Sequence, residues 1–201
     1  MEQLELADQL VSMRPFEPAD IAPVFELAGA REIADNTFVP HPYTQEAAQE
    51  FVERVREQWS ADEAYVFAIL DRATDAFVGC MGIHPEATHN SATVGYWIGK
   101  PFWGRGIATA ALRLLIRFGF EKLQLNRIEA GHLAHNAASG RVMQKANMQY
   151  EGRRRGSKLH RGEYKDAVWY AIIRADYCRS SKPGQSCAGE PSQELKRTPE
   201  D

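Results

Sequence analysis

Cysteine is scarce in this chain of 201 residues: Cys80, Cys178 and Cys187 are the only three, odd in number and widely spaced. Such spacing matches neither a disulfide framework nor a zinc site, so a reducing, cytoplasmic setting is the expectation. Cys80 lies in the apolar run Phe77–Met81 and reads as a small core residue. Histidines 41, 84, 89, 132, 135 and 160 are scattered, with no ligand pair at zinc spacing with cysteine, so no metal is expected. Long apolar runs are missing too, and none approaches the roughly 20 residues of a membrane span. The acidic start, Met1–Leu6, lacks the basic and apolar regions of a secretory signal. A net charge of −3 gives no reason to expect a dedicated nucleic-acid binder.

What remains is ordinary globular material, 44% apolar and 25% charged, enough for one domain with a substantial core. From Cys178 to Asp201 there is no Ile, Val, Met or aromatic residue. A segment of that kind cannot bury enough apolar surface to offset its chain entropy. The reading is therefore a domain over 1–174 and a disordered tail over 175–201.

Within the domain, Asp20 caps a short helix ending near Gly29. Thr44 caps a second helix, whose Ala48, Phe51, Val52, Val55 and Trp59 share one face. Between them lies the aromatic, proline-bearing loop Asn36–Tyr43. Strands are expected at 65–70, 76–83, 92–98, 127–133, 148–153 and 164–173, with helices at 106–122 and 136–146. That order predicts a mixed α+β (α/β) domain around one central sheet.

The most informative stretch is Tyr96–Ala110, where a strand runs through a glycine turn into a helix. Helix N-termini expose unpaired N–H groups and carry partial positive charge. Gly104 and Gly106 let an anion approach the backbone, and Ala108 and Thr109 keep the first turn open. Arg105 adds a cation suited to a phosphate. Three glycines at dinucleotide spacing are absent, as is the Gly-Lys-Ser/Thr of a Walker loop. Downstream, Asn136 is a good N-cap, with Ser139 three residues on.

The run Trp103-Gly104-Arg105-Gly106-Ile107-Ala108 resembles the acyl-CoA pyrophosphate loop of the GNAT superfamily of N-acetyltransferases. Tryptophan in place of Gln or Arg at its first position is typical of the RimJ/RimL-like branch. His135–Met148 resembles the family's Asn-x-x-Ser-x-x-Val-x-x-Lys-x-Gly-Phe signature, with Asn147 for the glycine. Arg161–Tyr170 resembles the Gly-x-Tyr-x-Asp stretch entering the closing strand.

The resemblance implies a GNAT fold, with a mostly antiparallel twisted sheet splayed at the acyl-CoA site and helices on both faces. It implies acetyl-CoA as cosubstrate, held by Trp97, Ile98, Gly99, Trp103, Gly104, Arg105, Gly106, Ile107, Ala108, Thr109, Asn136 and Ser139. Direct attack by an amine on the thioester then needs oxyanion stabilisation and two proton transfers. Ser139 is the first candidate to protonate the leaving thiolate and Tyr164 the second. For the base, Glu129 and His132 stand on opposite faces of one strand. The acceptor is expected to be a protein N-terminus, such as a ribosomal protein's, with Phe38–Tyr43 and His160–Tyr164 as its walls. A small amine (amino acid, polyamine or antibiotic) is the alternative, and a non-catalytic acyl-CoA sensor is another. The basic run Arg153-Arg154-Arg155 with Lys158 and Arg161 reads as a solvated edge, with attraction of an acidic peptide or of ribosomal RNA, through ribosome association or as an RNA-associated module, as the alternatives. Dimers are common in the family the chain resembles.

Overall fold

Alternation along the strands divides the core in two. Val66 and Ala68 face one apolar cluster, while Phe67 and Ile69 between and after them face another. The chain is seen as a computed structural model that describes residues 4–180.

Eight strands carry this pattern: β1 (Leu6–Ala7), β2 (Val11–Pro15), β3 (Tyr65–Asp71), β4 (Phe77–Glu86), β5 (Ser91–Ile98), β6 (Arg127–Leu133), β7 (Gln149–His160) and β8 (Glu163–Ile173). They form one sheet in the order β1-β2-β3-β4-β5-β6-β8-β7. Every neighbouring pair is antiparallel except β5 with β6.

One face of the sheet is covered by α1 (Ile21–Ala28), α2 (Arg31–Asn36) and α3 (Gln45–Ser60). Val24, Ile33, Ala48, Val52 and Val55 of these helices pack with Val66, Ala68, Cys80 and Trp97. Thr44 caps α3 as expected, its hydroxyl accepting the Ala47 N–H at 3.1 Å. The opposite face holds α4 (Ile107–Glu121) and α5 (Ala137–Lys145). Ile107, Leu112, Leu115 and Met143 there meet Phe67, Met81, Ile83, Val94 and Ile128.

Several elements differ from the sequence reading. The short β2 and α2 carry too few apolar residues for periodicity to reveal them. β7 continues to His160 because its outer half is a ladder against β8 rather than a buried face, and most of its side chains are exposed. The last helix, α6 (Arg174–Ser180), starts at the expected domain boundary and docks, Tyr177 stacking on Phe120 at 4.9 Å. Cys178 on it is disulfide-bonded, although the spacing of the cysteines matches no disulfide framework. The remainder of the expected tail, 181–201, lies outside the described residues. None of the described helices is long and apolar enough to cross a membrane.

Candidate active site

The single parallel pair is also an incomplete one. β5 and β6 are paired only over Ser91–Val94 and Arg127–Ala130. Beyond that point β5 stays on β4 to Ile98, and β6 stays on β8 to Leu133. The sheet is therefore open between Gly95–Ile98 and Gly131–Leu133. Gly99 donates its N–H to the Val78 carbonyl at 2.8 Å. Antiparallel ladders alternate, so Gly95 and Trp97 also turn their polar groups to β4, whereas Tyr96 and Ile98 turn theirs into the opening. The Trp103 indole N–H donates to the Ile98 carbonyl there at 2.5 Å. Among the described residues no strand stands opposite the N–H groups of Tyr96 and Ile98.

At the head of the opening, Gly104 and Gly106 have φ of 76° and 82°, values that favour glycine. A Cβ on Gly104 would meet nothing within 4 Å. The first bonds of α4 run from Thr109 and Ala110 back to the Gly106 carbonyl. The N–H groups of Ile107 and Ala108 thus have no intrahelical acceptor. Across the opening, Asn136 caps α5, its side-chain oxygen accepting the Ser139 N–H at 3.3 Å. The Ser139 hydroxyl lies 2.6 Å from the Tyr96 hydroxyl. Burial pushes the Tyr96 phenol up to about 12, although the Ser139 hydrogen bond lowers it, so it stays protonated.

These groups share one cavity of about 1110 Å³ that continues to the loop of Phe38, Val39, Pro40 and Tyr43. Its floor on the α1–α3 side is read from register. Gly82 of β4 pairs with Gly95 of β5, and Gly131 follows the last β5–β6 pair at the same level. The Trp169 ring covers Gly131, and Val66 and His84 crowd Gly82, but space over Gly95 is open. The next row is His84, Thr93 and Glu129. Among the described residues Glu50 is the only carboxylate lining this cavity, against Arg54, Arg141 and Lys145.

The sequence profile of the acetyltransferase (GNAT) domain matches residues 11–149. The chain belongs to the GNAT acetyltransferase family. It is an acetyl-CoA-dependent N-acetyltransferase. The probable N-acetyltransferase YjcK of Bacillus subtilis is 32% identical over 136 residues, 67% of this chain and 75% of that protein. The [ribosomal protein uS5]-alanine N-acetyltransferase of Escherichia coli is 25% identical over 116 residues, 57% of this chain and 60% of its own length. The fold is shared with RimL, a ribosomal L7/L12 alpha-N-protein acetyltransferase solved with coenzyme A. That match has a TM-score of 0.76 at 18% identity and covers 85% of this chain and 98% of RimL. Acetyl-CoA suits the residues present: glycine-flanked helix N–H groups for the diphosphate and an unpaired strand edge for the amides of pantetheine.

The GNAT domain gathers most of the residues the motifs single out. Trp97, Ile98, Trp103, Gly104, Gly106, Ile107, Ala108, Thr109, Asn136 and Ser139 all line the cavity. Gly99 does not, its N–H being held by β4. Arg105 turns away, donating to the buried Asp71 carboxylate at 2.5 Å. Glu129 is bound by Arg127 at 3.0 Å, and Arg127 also grips Glu151. Tyr164 is 74% exposed on the β7–β8 hairpin. Neither Glu129 nor Tyr164 lines the cavity. His132 does, on the α5 side, with Nδ1 donating to the Leu133 carbonyl at 2.9 Å.

Of the two expected acceptor walls, Phe38, Val39, Pro40 and Tyr43 of the first line the cavity. The other, His160–Tyr164, does not, and lies behind α2. His160 is buried and donates to the Ala34 and Thr37 carbonyls at 3.0 and 2.9 Å, and His135 donates to the Asp35 carbonyl at 2.9 Å. The end of α2 is thereby fastened to the start of α5 and to the hairpin. Much of the basic run is also engaged, Arg153 with Asp166 at 2.7 Å and Arg154 over Trp169 at 4.3 Å. Sequence reading missed Arg141 and Lys145, one turn apart on α5, and the Gly82–Gly95 floor. The helical spacing could have shown the first pair, whereas only strand register shows the second.

Proposed function

We propose that this N-acetyltransferase acts on the N-terminal amine of a protein chain. The charge of the cavity carries this reading. One carboxylate against three cations is a poor setting for polyamines or aminoglycosides, which are polycations. A peptide presents a single amine followed by an uncharged backbone, and the aromatic loop Phe38–Tyr43 offers that backbone an apolar wall. Relatives such as the uS5-alanine enzyme support the same class.

In this reading the N–H groups of Gly104, Gly106, Ile107 and Ala108 hold the diphosphate, and Asn136 borders the pantetheine arm. The open edge of β5 orients the thioester, and the Tyr96 N–H receives the charge that develops on its carbonyl oxygen. As the amine attacks, the carbon–nitrogen bond forms and the carbon–sulfur bond then breaks. Ser139, hydrogen-bonded to Tyr96, gives its proton to the departing sulfur and is reprotonated through the Tyr96 phenol or water. Glu129 is held by Arg127 and Tyr164 is exposed on the β7–β8 hairpin, and neither lines the cavity, so neither is given a catalytic role.

The test is thiol release from acetyl-CoA with peptides bearing free N-termini, amino acids, polyamines and aminoglycosides. Turnover with peptides and silence with polycations is the expected result. Turnover confined to a small amine would replace the peptide reading with the small-molecule one.

A further inference from the structure

His84 occupies a position that no motif marks. It sits on β4 directly across from Thr93, in the row beside the Gly82–Gly95 pair. Its imidazole leans over Gly82, where a Cβ would lie 3.2 Å from Nε2. Gly95, the next residue across, has open space above it and is followed by Tyr96, whose N–H enters the splay. An amine over Gly95 would therefore have the thioester opening on one side and the His84 ring on another.

Other candidates are placed less well. His132 faces α5, close against Gly140, on the far side of the sheet from this well. The Glu129 carboxylate is held by Arg127, and His135 is committed to the Asp35 carbonyl. His84 has no hydrogen-bond partner among the described residues. Partial desolvation of the ring lowers its pKa below the ordinary histidine value, which favours the neutral form that can accept a proton. The charged and titratable groups around the same space are Cys80 on β4, Glu50 and Arg54 from α3, Tyr43 from the loop, His135 before α5 and Glu129 beyond Thr93.

We propose that His84 is the catalytic residue that removes the proton from the acceptor amine, in a well over Gly95. As the nitrogen bonds to the acetyl carbon, one of its protons passes to His84 Nε2. The carbon–sulfur bond breaks, sulfur takes a proton from Ser139, and the imidazolium returns its proton to water at the cavity mouth. This rests on acetyl transfer to an amine, but not on which amine reacts.

The experiment compares the full chain with His84→Gln and His84→Ala, using whichever amine gives turnover, between about pH 5.5 and 9. A wild-type kcat/KM that falls below the ordinary histidine pKa is expected. Both variants should lose about 100-fold or more and lose that acid limb, and added imidazole should restore part of the His84→Ala rate. Acetyl-CoA affinity by calorimetry should stay within about twofold. Activity within about twofold of wild type with the limb intact would overturn the proposal, as would a loss confined to KM that imidazole does not restore. A peptide that fails where a small amine succeeds removes the acceptor reading and leaves this comparison standing. Should every amine be silent, the His84 ring resonance of the CoA-loaded protein decides. Titration below the ordinary value that shifts on adding peptide supports the assignment, and an ordinary titration indifferent to peptide sinks it.

Discussion

The Tyr96 hydroxyl stands 2.6 Å from the Ser139 hydroxyl, linking β5 to α5 across the splay. Tyr96→Phe removes that bond while leaving the ring in its place. A hydrogen bond of this type contributes about 0.5–1.5 kcal/mol, so kcat should fall roughly 2- to 12-fold. Ser139→Ala should cost more, and the double variant should be little worse than Ser139→Ala alone, because the phenol acts through the serine. Fully additive losses in the three rates would separate the two residues.

Gly95→Val should fold well and bind acetyl-CoA normally, yet fail to accept its amine. A Cβ there meets nothing within 4 Å, and a β-branched side chain suits a strand. Replacing a strand glycine removes an entropic penalty of roughly 0.5–1 kcal/mol. The measurement is thermal midpoint beside amine KM. A raised midpoint with an unchanged amine KM would mean the well over Gly95 is not where the acceptor sits.

Gly106→Ala is limited by backbone rather than by space. The nearest atom to a new Cβ is Leu10 Cδ2, an ordinary contact at 3.7 Å, but φ is 82°. Holding an L residue there costs roughly 1–2 kcal/mol. Urea unfolding should show that loss, and calorimetry should show weaker acetyl-CoA binding as the turn relaxes away from the diphosphate.

Arg105→Ala should act mainly on stability. The Asp71 side chain is 3% exposed and accepts from both Arg105 and the Ala73 N–H. Removing the guanidinium leaves one carboxylate oxygen without that partner, at a cost of about 1–3 kcal/mol in urea unfolding. Acetyl-CoA affinity should fall less than in Gly106→Ala. A larger affinity loss than stability loss would return Arg105 to direct phosphate contact.

Buried Cys80 has its thiol pushed up to about 12 by desolvation. In the native protein it should resist alkylation at pH 8 and react only on unfolding, as mass spectrometry of labelled peptides would show.

Much of this was legible in the residues because local chemistry determines it. The glycines of 104 and 106, the caps Thr44 and Asn136 and the Ala/Leu helix after the turn each carry their cause within a few positions. Asn147, which follows α5 with φ 64°, takes the left-handed conformation its side chain tolerates. What stayed hidden depends on register. That Gly82, Gly95 and Gly131 fall at one level, or that His84 shares a row with Thr93 and Glu129, follows only from how strands far apart in sequence align. Arg105 shows the other limit. A cation beside a phosphate loop looks like a ligand until a buried aspartate 34 residues earlier is found to hold it.

The fastening of α2 by two imidazoles bears on the order in which the molecule assembles. His135 reaches the Asp35 carbonyl across 100 residues, and His160 reaches Ala34 across 126. Contacts so distant along the chain are slow to form, because long loops must close before they are rewarded. The phosphate turn and its helix are local and can be complete much earlier. The surface proposed to bear the acceptor is thus the late-maturing part of the enzyme, so a nascent or partly folded chain would complete its glycine turn before the wall proposed for the acceptor.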